Sequence, residues 1–239
     1  HTNEMVKGLR ETTEEIRRTR DVSIMSLASL AETRDNETGA HILRTQRYVK
    51  ALAEHLQTHP RFSHELSAEN IELMYKSAPL HDIGKVGIPD NILLKPGKLT
   101  DEEFDVMKGH PALGAEALAV AEKTLGSNSF LRYAKEISIT HHEKWDGSGY
   151  PEGLKGDEIP ISGRLMALAD VYDALISKRV YKPAFSHGEA SDIIVKGDGT
   201  HFDPDVVDAY MTIQDKFETI AREFSDQKHE AEDAPGVAA

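Results

Sequence analysis

The sequence contains no cysteine, so its 239 residues can form no disulfide and offer no thiolate metal ligand or cysteine nucleophile. Any bound metal must therefore be held by imidazole and carboxylate groups, a ligand set that suits several divalent ions. The sequence also lacks an apolar run of about 18 residues and a short apolar segment behind a basic start. We therefore expect no membrane segment in this chain and a cytoplasmic location.

Basic residues are scarce as well, with 28 Lys and Arg against 41 Asp and Glu and a formal net charge of −13. This balance argues against a nucleic-acid polymer as a partner, because such binding depends on neutralising phosphates with a basic face. A small phosphate ester stays compatible if metal ions supply local positive charge. The chain begins at His1 rather than Met, which suggests a fragment, and an upstream membrane or sensory region stays open.

Alternation typical of strands is nearly absent and helical periodicity runs through most of the chain, which predicts an all-α fold. Residues 3–33 are predicted to form one long helix, with Met5, Leu9 and Ile16 in a coiled-coil-like spacing. Its first half is either a dimerising or signal-transmitting linker or a cap on the domain's own core. From residue 22 the apolar residues surround the helix, which indicates burial. We predict a linker over residues 1–21, a main domain over 22–225 and a disordered tail over 226–239.

One stretch places an imidazole and a carboxylate side by side among apolar residues, His81-Asp82, with Gly84 and Lys85 just behind. Burying such a pair is costly unless both polar groups are compensated, and a divalent metal does so most fully. A buried histidine bonded to a neighbouring carboxylate needs no metal, however. The pair alone leaves both interpretations open.

Further candidate ligands lie at predicted helix ends or on inward faces. Two successive histidines, His141 and His142, end an apolar helix, and Asp170 stands in the most apolar helix, where an acid is seldom buried unless paired or metal-bound. The whole candidate set is Glu37, His41, His81, Asp82, His110, His141, His142 and Asp170. Eight ligands exceed the capacity of one octahedral ion, so the set predicts two or three metals bridged by a carboxylate such as Asp82.

Two motifs, His81-Asp82-Ile83-Gly84-Lys85 and His141-His142-Glu143 through Gly149-Tyr150-Pro151, resemble those of the HD-GYP family, a branch of the HD metal-dependent phosphohydrolases. Arg164 to Asp170 and the turn Gly199 to Pro204 extend the resemblance, which covers about residues 22–224. It implies an HD-domain helical bundle with a long N-terminal helix and hydrolysis of cyclic di-GMP. It also implies a bridged iron or manganese centre, with Zn, Ni, Co or Mg as alternatives. Family members often follow a receiver or other sensor domain, as in response regulators, which fits the N-terminal helix as a connector.

The resemblance also implies roles for single residues. Six residues of the candidate set match the family's metal ligands: His81, Asp82, His110, His141, His142 and Asp170. Glu37 and His41 match the additional pair of members with a third metal. The implied substrate contacts are Lys85 beside the phosphate, Arg179 and Lys182 on the cyclic dinucleotide, and Asp35 on a guanine or ribose. Gly149, Tyr150 and Pro151 are expected to shape the site and to contact a partner such as a diguanylate cyclase (GGDEF) domain. The segment Lys178-Arg179-Val180-Tyr181 departs from the common family pattern, which affects the substrate contacts rather than the metals.

The predicted mechanism is attack of a metal-bridging hydroxide on the phosphodiester, with Asp82 bridging the ions and Lys85 neutralising developing charge. The product would be pGpG, and further cleavage to GMP is left open. One alternative is a cyclic-dinucleotide sensor or interaction module with little turnover. Another is a phosphodiesterase that acts mainly on pGpG or another cyclic dinucleotide. We also expect a homodimer through the N-terminal helix and gating of activity by that helix.

Overall fold

The computed structural model of the protein describes residues 2–32, 34, 39–125, 130–177 and 184–232. Within these ranges no β-strand occurs, which confirms the all-α prediction. In chain order the α-helices are α1 (Thr2–Glu32), α2 (Gly39–Leu56), α3 (Ala68–Ser77), α4 (Asp90–Leu93), α5 (Asp101–Met107), α6 (His110–Leu125), α7 (Phe130–Thr140), α8 (Ile161–Ile176), α9 (His187–Lys196) and α10 (Pro204–Glu232). Short 3-10 turns span Ala78–Leu80, Ile83–Gly87 and Gly156–Glu158.

Side-chain caps fix the start of several helices. Thr100 accepts a hydrogen bond from the backbone N–H of Glu103 at the start of α5, and the Glu103 carboxylate bonds back to the backbone of Thr100. Ser186 and Glu189 form the same reciprocal arrangement at α9. Each capping box satisfies two backbone donors that would otherwise lack partners, which sets where the helix begins.

The main hydrophobic core lies between α2, α8 and α10. The Tyr48 ring stacks on Phe217 with ring centroids 4.4 Å apart, and Tyr172 meets the Phe217 ring edge-on at 5.1 Å. Tyr48, Tyr172 and Phe217 are fully buried. Burial of aromatic side chains of this size contributes roughly 1.5–3 kcal/mol each, so this cluster fixes α8 against α2.

A second cluster joins the C-terminal part of α1 to the rest of the domain. Ile24 and Ala28 of α1 pack with Ile42, Leu80 and Leu118. Leu80 directly precedes His81, so α1 packs beside the turn that carries the His81-Asp82 pair. The burial predicted from residue 22 onward is confirmed for this face only, because Val22, Leu27 and Leu30 on the other side of the helix are exposed.

Gly84 lets the turn behind Asp82 approach α6 closely. A methyl group at Gly84 would lie 1.9 Å from the carbonyl oxygen of His110 and 2.5 Å from the backbone nitrogen of Gly114. Neither backbone can move away without shifting a helix, so only glycine fits here. This contact holds the His81-Asp82 turn against the first turn of α6, where His110 lies.

Helix boundaries follow the sequence-based predictions closely for α1, α3 and α7, while α10 runs to Glu232, past the predicted end near Phe224. Helix α9 was not predicted. The division into a linker, a main domain and a tail stays a prediction. Among the described helices, none combines the length and apolarity needed to cross a membrane.

Candidate metal centre

Three α-helices and two turns bring most of the predicted ligands together, with His81-Asp82 in one turn and His141-His142 in the turn after α7. His41 lies in the first turns of α2, His110 begins α6, and Asp170 lies in α8. The ligand atoms form two groups, within each of which all atoms lie within 4.8 Å of one another: Asp82, His110, His141 and His142 in the first, and His41, His81 and Asp170 in the second. Below these are called the Asp82 group and the Asp170 group.

Backbone carbonyls fix the ring orientation of three of these histidines. Each Nδ1 donates to a carbonyl one turn earlier: His81 to Ala78 at 2.9 Å, His110 to Met107 at 2.8 Å, and His141 to Ser138 at 2.9 Å. A carbonyl can only accept, so in the neutral ring the proton lies on Nδ1 and the Nε2 lone pair faces the centre of the site. This is the tautomer that metal-binding imidazoles adopt.

Nε2 atoms that face one another are the clearest sign that a cation fits here. The His41 and His81 Nε2 atoms are 3.5 Å apart, and so are those of His110 and His141. His41 also donates from Nδ1, to Asp173 Oδ2 at 2.8 Å, so both nitrogens of each facing pair present lone pairs. Such lone pairs repel unless a positive charge lies between or beside them, and the donor set therefore fits divalent ions.

Asp82 connects the two groups. Its Oδ1 lies 3.1 Å from His110 Nε2, and its Oδ2 lies 3.4 Å from His81 Nε2. Because these nitrogens carry no proton in the neutral tautomer, buried Oδ1 has no hydrogen-bond donor among the described residues. An acceptor buried in this way is costly unless a cation satisfies it. The Asp82 carboxylate therefore faces both groups, and its bridging of two ions stays a prediction.

The charge state of Asp82 follows from its neighbours. Burial alone would raise the pKa of this carboxyl, but the neighbouring groups, chiefly the Lys85 ammonium, outweigh burial and hold the pKa well below its usual value. Lys85 Nζ lies 2.8 Å from Asp82 Oδ2. The site therefore presents an ionised carboxylate with a lysine cation directly beside it.

His142 is oriented differently from the other histidines. In the described part of the chain, no hydrogen bond reaches its ring, whose pKa is lowered chiefly by burial. Instead, the Tyr150 ring stacks on it with centroids 4.8 Å apart and an angle of 27° between the planes. The backbone N–H of Tyr150 also donates to the His142 carbonyl at 3.2 Å. The Gly149-Tyr150-Pro151 segment therefore folds directly over a candidate ligand.

Glu143 holds this segment in place rather than joining the ligands. It is buried and accepts hydrogen bonds from the backbone N–H groups of Glu152 at 2.8 Å and Leu154 at 3.0 Å. Gly149 allows the close return of the chain, since a methyl group there would lie 2.5 Å from the Glu143 Cα. The loop is thus tied to the same turn that carries His141 and His142.

A separate network of ion pairs supports the loop that follows His142. Arg164 Nη1 donates to Asp203 Oδ2 at 2.9 Å, and Arg61 Nη1 donates to Asp203 Oδ1 at the same distance. Both guanidinium groups lie over the Trp145 ring, and the backbone N–H of Trp145 donates to the carbonyl of His201 at 3.1 Å. These contacts join the two outlying segments that extend the family resemblance, residues 164–170 and 199–204.

Two residues close to the site were not assigned a role from the sequence. Asp173 is buried, orients His41 and accepts from Arg44 Nε at 2.5 Å. Burial raises the pKa of the Asp173 carboxyl, but the hydrogen bonds from Arg44 and His41 lower it by more. The sequence feature that could have identified Asp173 is its spacing: it lies one helical turn beyond Asp170 and therefore on the same face of α8.

The sequence-predicted residues thus divide into three sets: ligands that converge, residues that pack beside these ligands, and residues that the structure does not describe. Seven candidate ligands converge, with Lys85 beside Asp82 and the Gly149-Tyr150-Pro151 segment over His142. Glu37, Asp35, Arg179 and Lys182 lie outside the described residues. For the residues of all three sets, the roles as ligands, substrate contacts or partner contacts stay predictions.

A family model described as an HD domain matches residues 26–206, and the chain belongs to this family. This agrees with the resemblance drawn from the two motifs.

Relatives with assigned names cover most of the chain. A cyclic di-GMP phosphodiesterase of Vibrio cholerae is 67% identical over 225 residues, which are 94% of this chain and 46% of that protein. A 3'3'-cGAMP-specific phosphodiesterase of the same organism is 41% identical over 93% of this chain and 39% of its own length. The chain thus spans less than half the length of these two curated relatives.

The fold also resembles a crystal structure. A cyclic GMP-AMP specific phosphodiesterase of V. cholerae matches with a TM-score of 0.59 over 91% of this chain and 54% of that chain, at 16% identity. At this identity the likeness concerns the helical fold alone.

Proposed function

We propose that this chain is the catalytic HD-GYP domain of a cyclic di-GMP phosphodiesterase that produces pGpG, with onward cleavage to GMP left to the product analysis below. The observation that carries the proposal is the joined pair of ligand groups, with imidazole nitrogens facing each other at 3.5 Å and Asp82 between the groups. A structural histidine cluster would instead be expected to pair donors with acceptors. The 67% identical relative named for this activity supports the same conclusion.

The two groups would hold one divalent ion each, with Asp82 shared between them. Imidazole and carboxylate ligands without sulfur suit iron or manganese, and also zinc, nickel or cobalt, with magnesium less favoured because of the many nitrogens. A third ion would need Glu37 in addition to His41. Ions bound there supply Lewis acidity toward the phosphodiester oxygens and acidify a water molecule.

The chain's own groups would bind and orient the substrate. Lys85 Nζ, 2.8 Å from Asp82 Oδ2, places a positive charge beside the carboxylate. There it would lie next to a phosphate bound at the two ligand groups. Its role would be to stabilise the charge that develops on the phosphoryl and leaving ribose oxygens. Asp82 stays ionised because Lys85 holds its pKa low, so it accepts and orients rather than donates a proton.

The test combines metal content with product formation on one sample. Protein purified without air is analysed for metals and incubated with cyclic di-GMP, and the products are separated by chromatography. We expect two or three iron or manganese ions per chain and the appearance of pGpG or GMP. A fully loaded centre that binds cyclic di-GMP and releases no product would contradict the proposal and favour a sensor or interaction module.

A second substrate is favoured by one specific observation, the 41% identical relative named for 3'3'-cGAMP. Metal chemistry at a phosphodiester does not depend on the base, so base selection must come from other contacts. The residues predicted for that purpose, Asp35, Arg179 and Lys182, lie outside the described residues. Side-by-side kcat/KM values for cyclic di-GMP, 3'3'-cGAMP and pGpG would decide the preferred substrate, and a higher value for cyclic di-GMP is expected.

Further parts of the proposal rest on the sequence pattern and the family resemblance alone. These are a cytoplasmic location, contact of the Gly149-Tyr150-Pro151 segment with diguanylate cyclase (GGDEF) domains, and an upstream receiver or sensor domain joined through α1. Activity gated by α1 would be seen as different turnover in a chain that starts near Val22, and equal rates would contradict gating.

A further inference from the structure

Helix α1 carries two apolar faces, and only one of them meets the domain. Ile24, Ala28 and Ala31 are buried against it. In contrast, every residue from 3 to 19 is exposed, so the first half of the helix projects away from the described domain. An isolated helix of this length is marginal in water, and most helical stability comes from packing of an apolar face.

The exposed apolar side chains of α1 follow one heptad frame. If Leu9, Ile16, Ser23 and Leu30 occupy a positions, then Met5, Thr12, Thr19 and Ser26 occupy d positions. The exposed apolar side chains all fall on the a, d, e or g positions of this frame: Met5 (d), Val6 (e), Leu9 (a), Ile16 (a), Val22 (g), Leu27 (e) and Leu30 (a). The side chains buried in the domain, Ile24, Ala28 and Ala31, fall on b and f positions, which lie on the opposite side.

We propose that this exposed seam, which we call the α1 seam, binds the α1 seam of a second copy of the chain as a parallel, in-register coiled coil. An a, d, e and g surface over residues 5–30 is the surface that a two-stranded coiled coil buries. The domain packs mainly on the b and f side of the same helix and leaves the large apolar side chains of the seam exposed. At the edge of the seam, Arg20 lies over the Phe130 ring of the domain, 5.9 Å from its centroid.

Parallel pairing matches like with like along the seam. In register, Leu9 meets Leu9 and Ile16 meets Ile16 of the second copy, while the hydroxyl layers of Thr12 and Thr19 meet their own counterparts. In an antiparallel pair, a positions would face d positions, so Leu9 and Ile16 would face mostly hydroxyl side chains. The Ser23 hydroxyl donates to the Thr19 carbonyl at 2.8 Å and is therefore already satisfied within the helix.

Charge also favours the parallel register. Glu15 lies at a g position and Arg20 at the following e position, which is the pairing that crosses between strands in a parallel coiled coil. Arg20 contacts Asp21 of its own chain and keeps part of its side chain exposed. The preceding g and e residues, Gly8 and Thr13, are uncharged, so no like charges would oppose each other there.

The four hydroxyl layers, Thr12, Thr19, Ser23 and Ser26, weaken the seam. This composition suits a dimer that forms at micromolar rather than nanomolar concentrations.

The first experiment measures mass in solution by sedimentation equilibrium on the whole chain. We expect twice the chain mass of 26.5 kDa at tens of micromolar. Ile16→Glu should raise the dissociation constant at least about tenfold, because it places two carboxylates in one apolar layer. The matched control is Arg17→Glu, which lies one residue further on, at a b position. It changes the net charge of the chain more than Ile16→Glu does, yet it should leave the dimer mass in solution unchanged.

The second experiment uses the absence of cysteine to determine orientation. Leu9→Cys and Ile16→Cys should each form a disulfide-linked dimer on mild oxidation, because identical a positions face each other only in a parallel register. Arg17→Cys should not. An antiparallel pair would cross-link at one of these positions at most.

A wild-type monomer throughout this range, or a dimer insensitive to Ile16→Glu, would overturn the proposal. A dimer sensitive to Ile16→Glu that fails to cross-link at both cysteine positions would overturn the parallel register. None of these readouts depends on metal content or on phosphodiesterase activity.

Discussion

Asp173 Oδ2 lies 2.8 Å from His41 Nδ1, and the same carboxylate receives the Arg44 guanidinium through Nε at 2.5 Å and Nη2 at 2.7 Å. One buried acid therefore orients a candidate metal ligand and neutralises a nearly buried cation. The first task sets which nitrogen of His41 faces the Asp170 group. The second ties α2 to α8.

Asp173→Asn should therefore lower both metal affinity and stability. Removing one partner of a buried ion pair costs about 3–5 kcal/mol in the free energy of unfolding, and losing a carboxylate behind a ligating histidine lowers metal affinity roughly 10- to 100-fold. Urea unfolding of the metal-free protein and metal titration of the folded protein measure the two effects separately. Asp192→Asn, at an exposed position, is the control and should change neither.

Acid should remove the stabilisation that Asp173 gives. Its folded-state pKa is depressed, because the hydrogen bonds from Arg44 and His41 outweigh burial. Between that pKa and the unfolded value of about 3.9, the unfolded chain binds more protons, so stability rises with pH. The contribution is complete above about pH 4 and is lost as the pH falls through the folded-state pKa. The stability difference between metal-free wild type and Asp173→Asn should shrink in this window; a difference that stays constant with falling pH would contradict the assignment.

The helices were largely predictable because local chemistry places their ends. Ser67 caps α3, and Asp203 and Pro204 mark the start of α10, so these beginnings can be read without tertiary information. Helix α9 carried a comparable signal in the capping box of Ser186 and Glu189, but it is short and only part of it is buried. Short helices of this kind depend on packing more than on their own periodicity.

The candidate ligands were predictable because unusual neighbours flag them, as with His81 beside Asp82 or His141 beside His142. Asp173 was not assigned, since an acid one turn from Asp170 can face either a ligand or an arginine. Only the packing of α2 against α8 decides that it meets His41 and Arg44. Likewise, no spacing rule indicates that the Tyr150 ring lies on His142, because a loop between them determines the approach.

Asp82→Ala should remove metal and activity together. The Asp82 carboxylate reaches both ligand groups, through Oδ1 to His110 and Oδ2 to His81. Its loss also removes the negative charge 2.8 Å from Lys85 Nζ, so the centre of the site becomes more positive and less favourable for metal cations. Elemental analysis should find at least one ion fewer per chain, with turnover reduced by more than about 10³-fold. The exposed Asp208→Ala should match wild type; full metal content in Asp82→Ala would argue against a bridging role.

Lys85→Ala should separate metal binding from rate. Because lysine is a cation and cannot ligate a metal in its charged form, its removal should leave the metal content intact. We expect kcat to fall about 10²- to 10³-fold, the usual effect of losing one group that stabilises transition-state charge. Lys85→Arg, which keeps the charge, should recover part of the rate, whereas the exposed Lys98→Ala should have no effect. Wild-type turnover in Lys85→Ala would disprove the role.

Tyr150 should act on the metal centre through its ring and not through its hydroxyl. Burial raises the pKa of the Tyr150 phenol to about 12, so the group stays neutral at working pH and no ionised form takes part. Its stacked ring restricts His142, for which the described residues provide no hydrogen bond to either ring nitrogen. Tyr150→Phe keeps that restriction and should hold metal as wild type does.

Tyr150→Ala removes the ring and should weaken binding of the ion in the Asp82 group by about 10- to 100-fold, the usual cost of losing support for a ligating histidine. Metal titration of both variants in the metal-free, folded state measures this directly. If Tyr150→Phe fails as badly as Tyr150→Ala, the hydroxyl rather than the ring is what the centre needs. If Tyr150→Ala binds metal normally, the stacking does not position His142, and the segment is left with the loop-shaping and partner roles predicted for it.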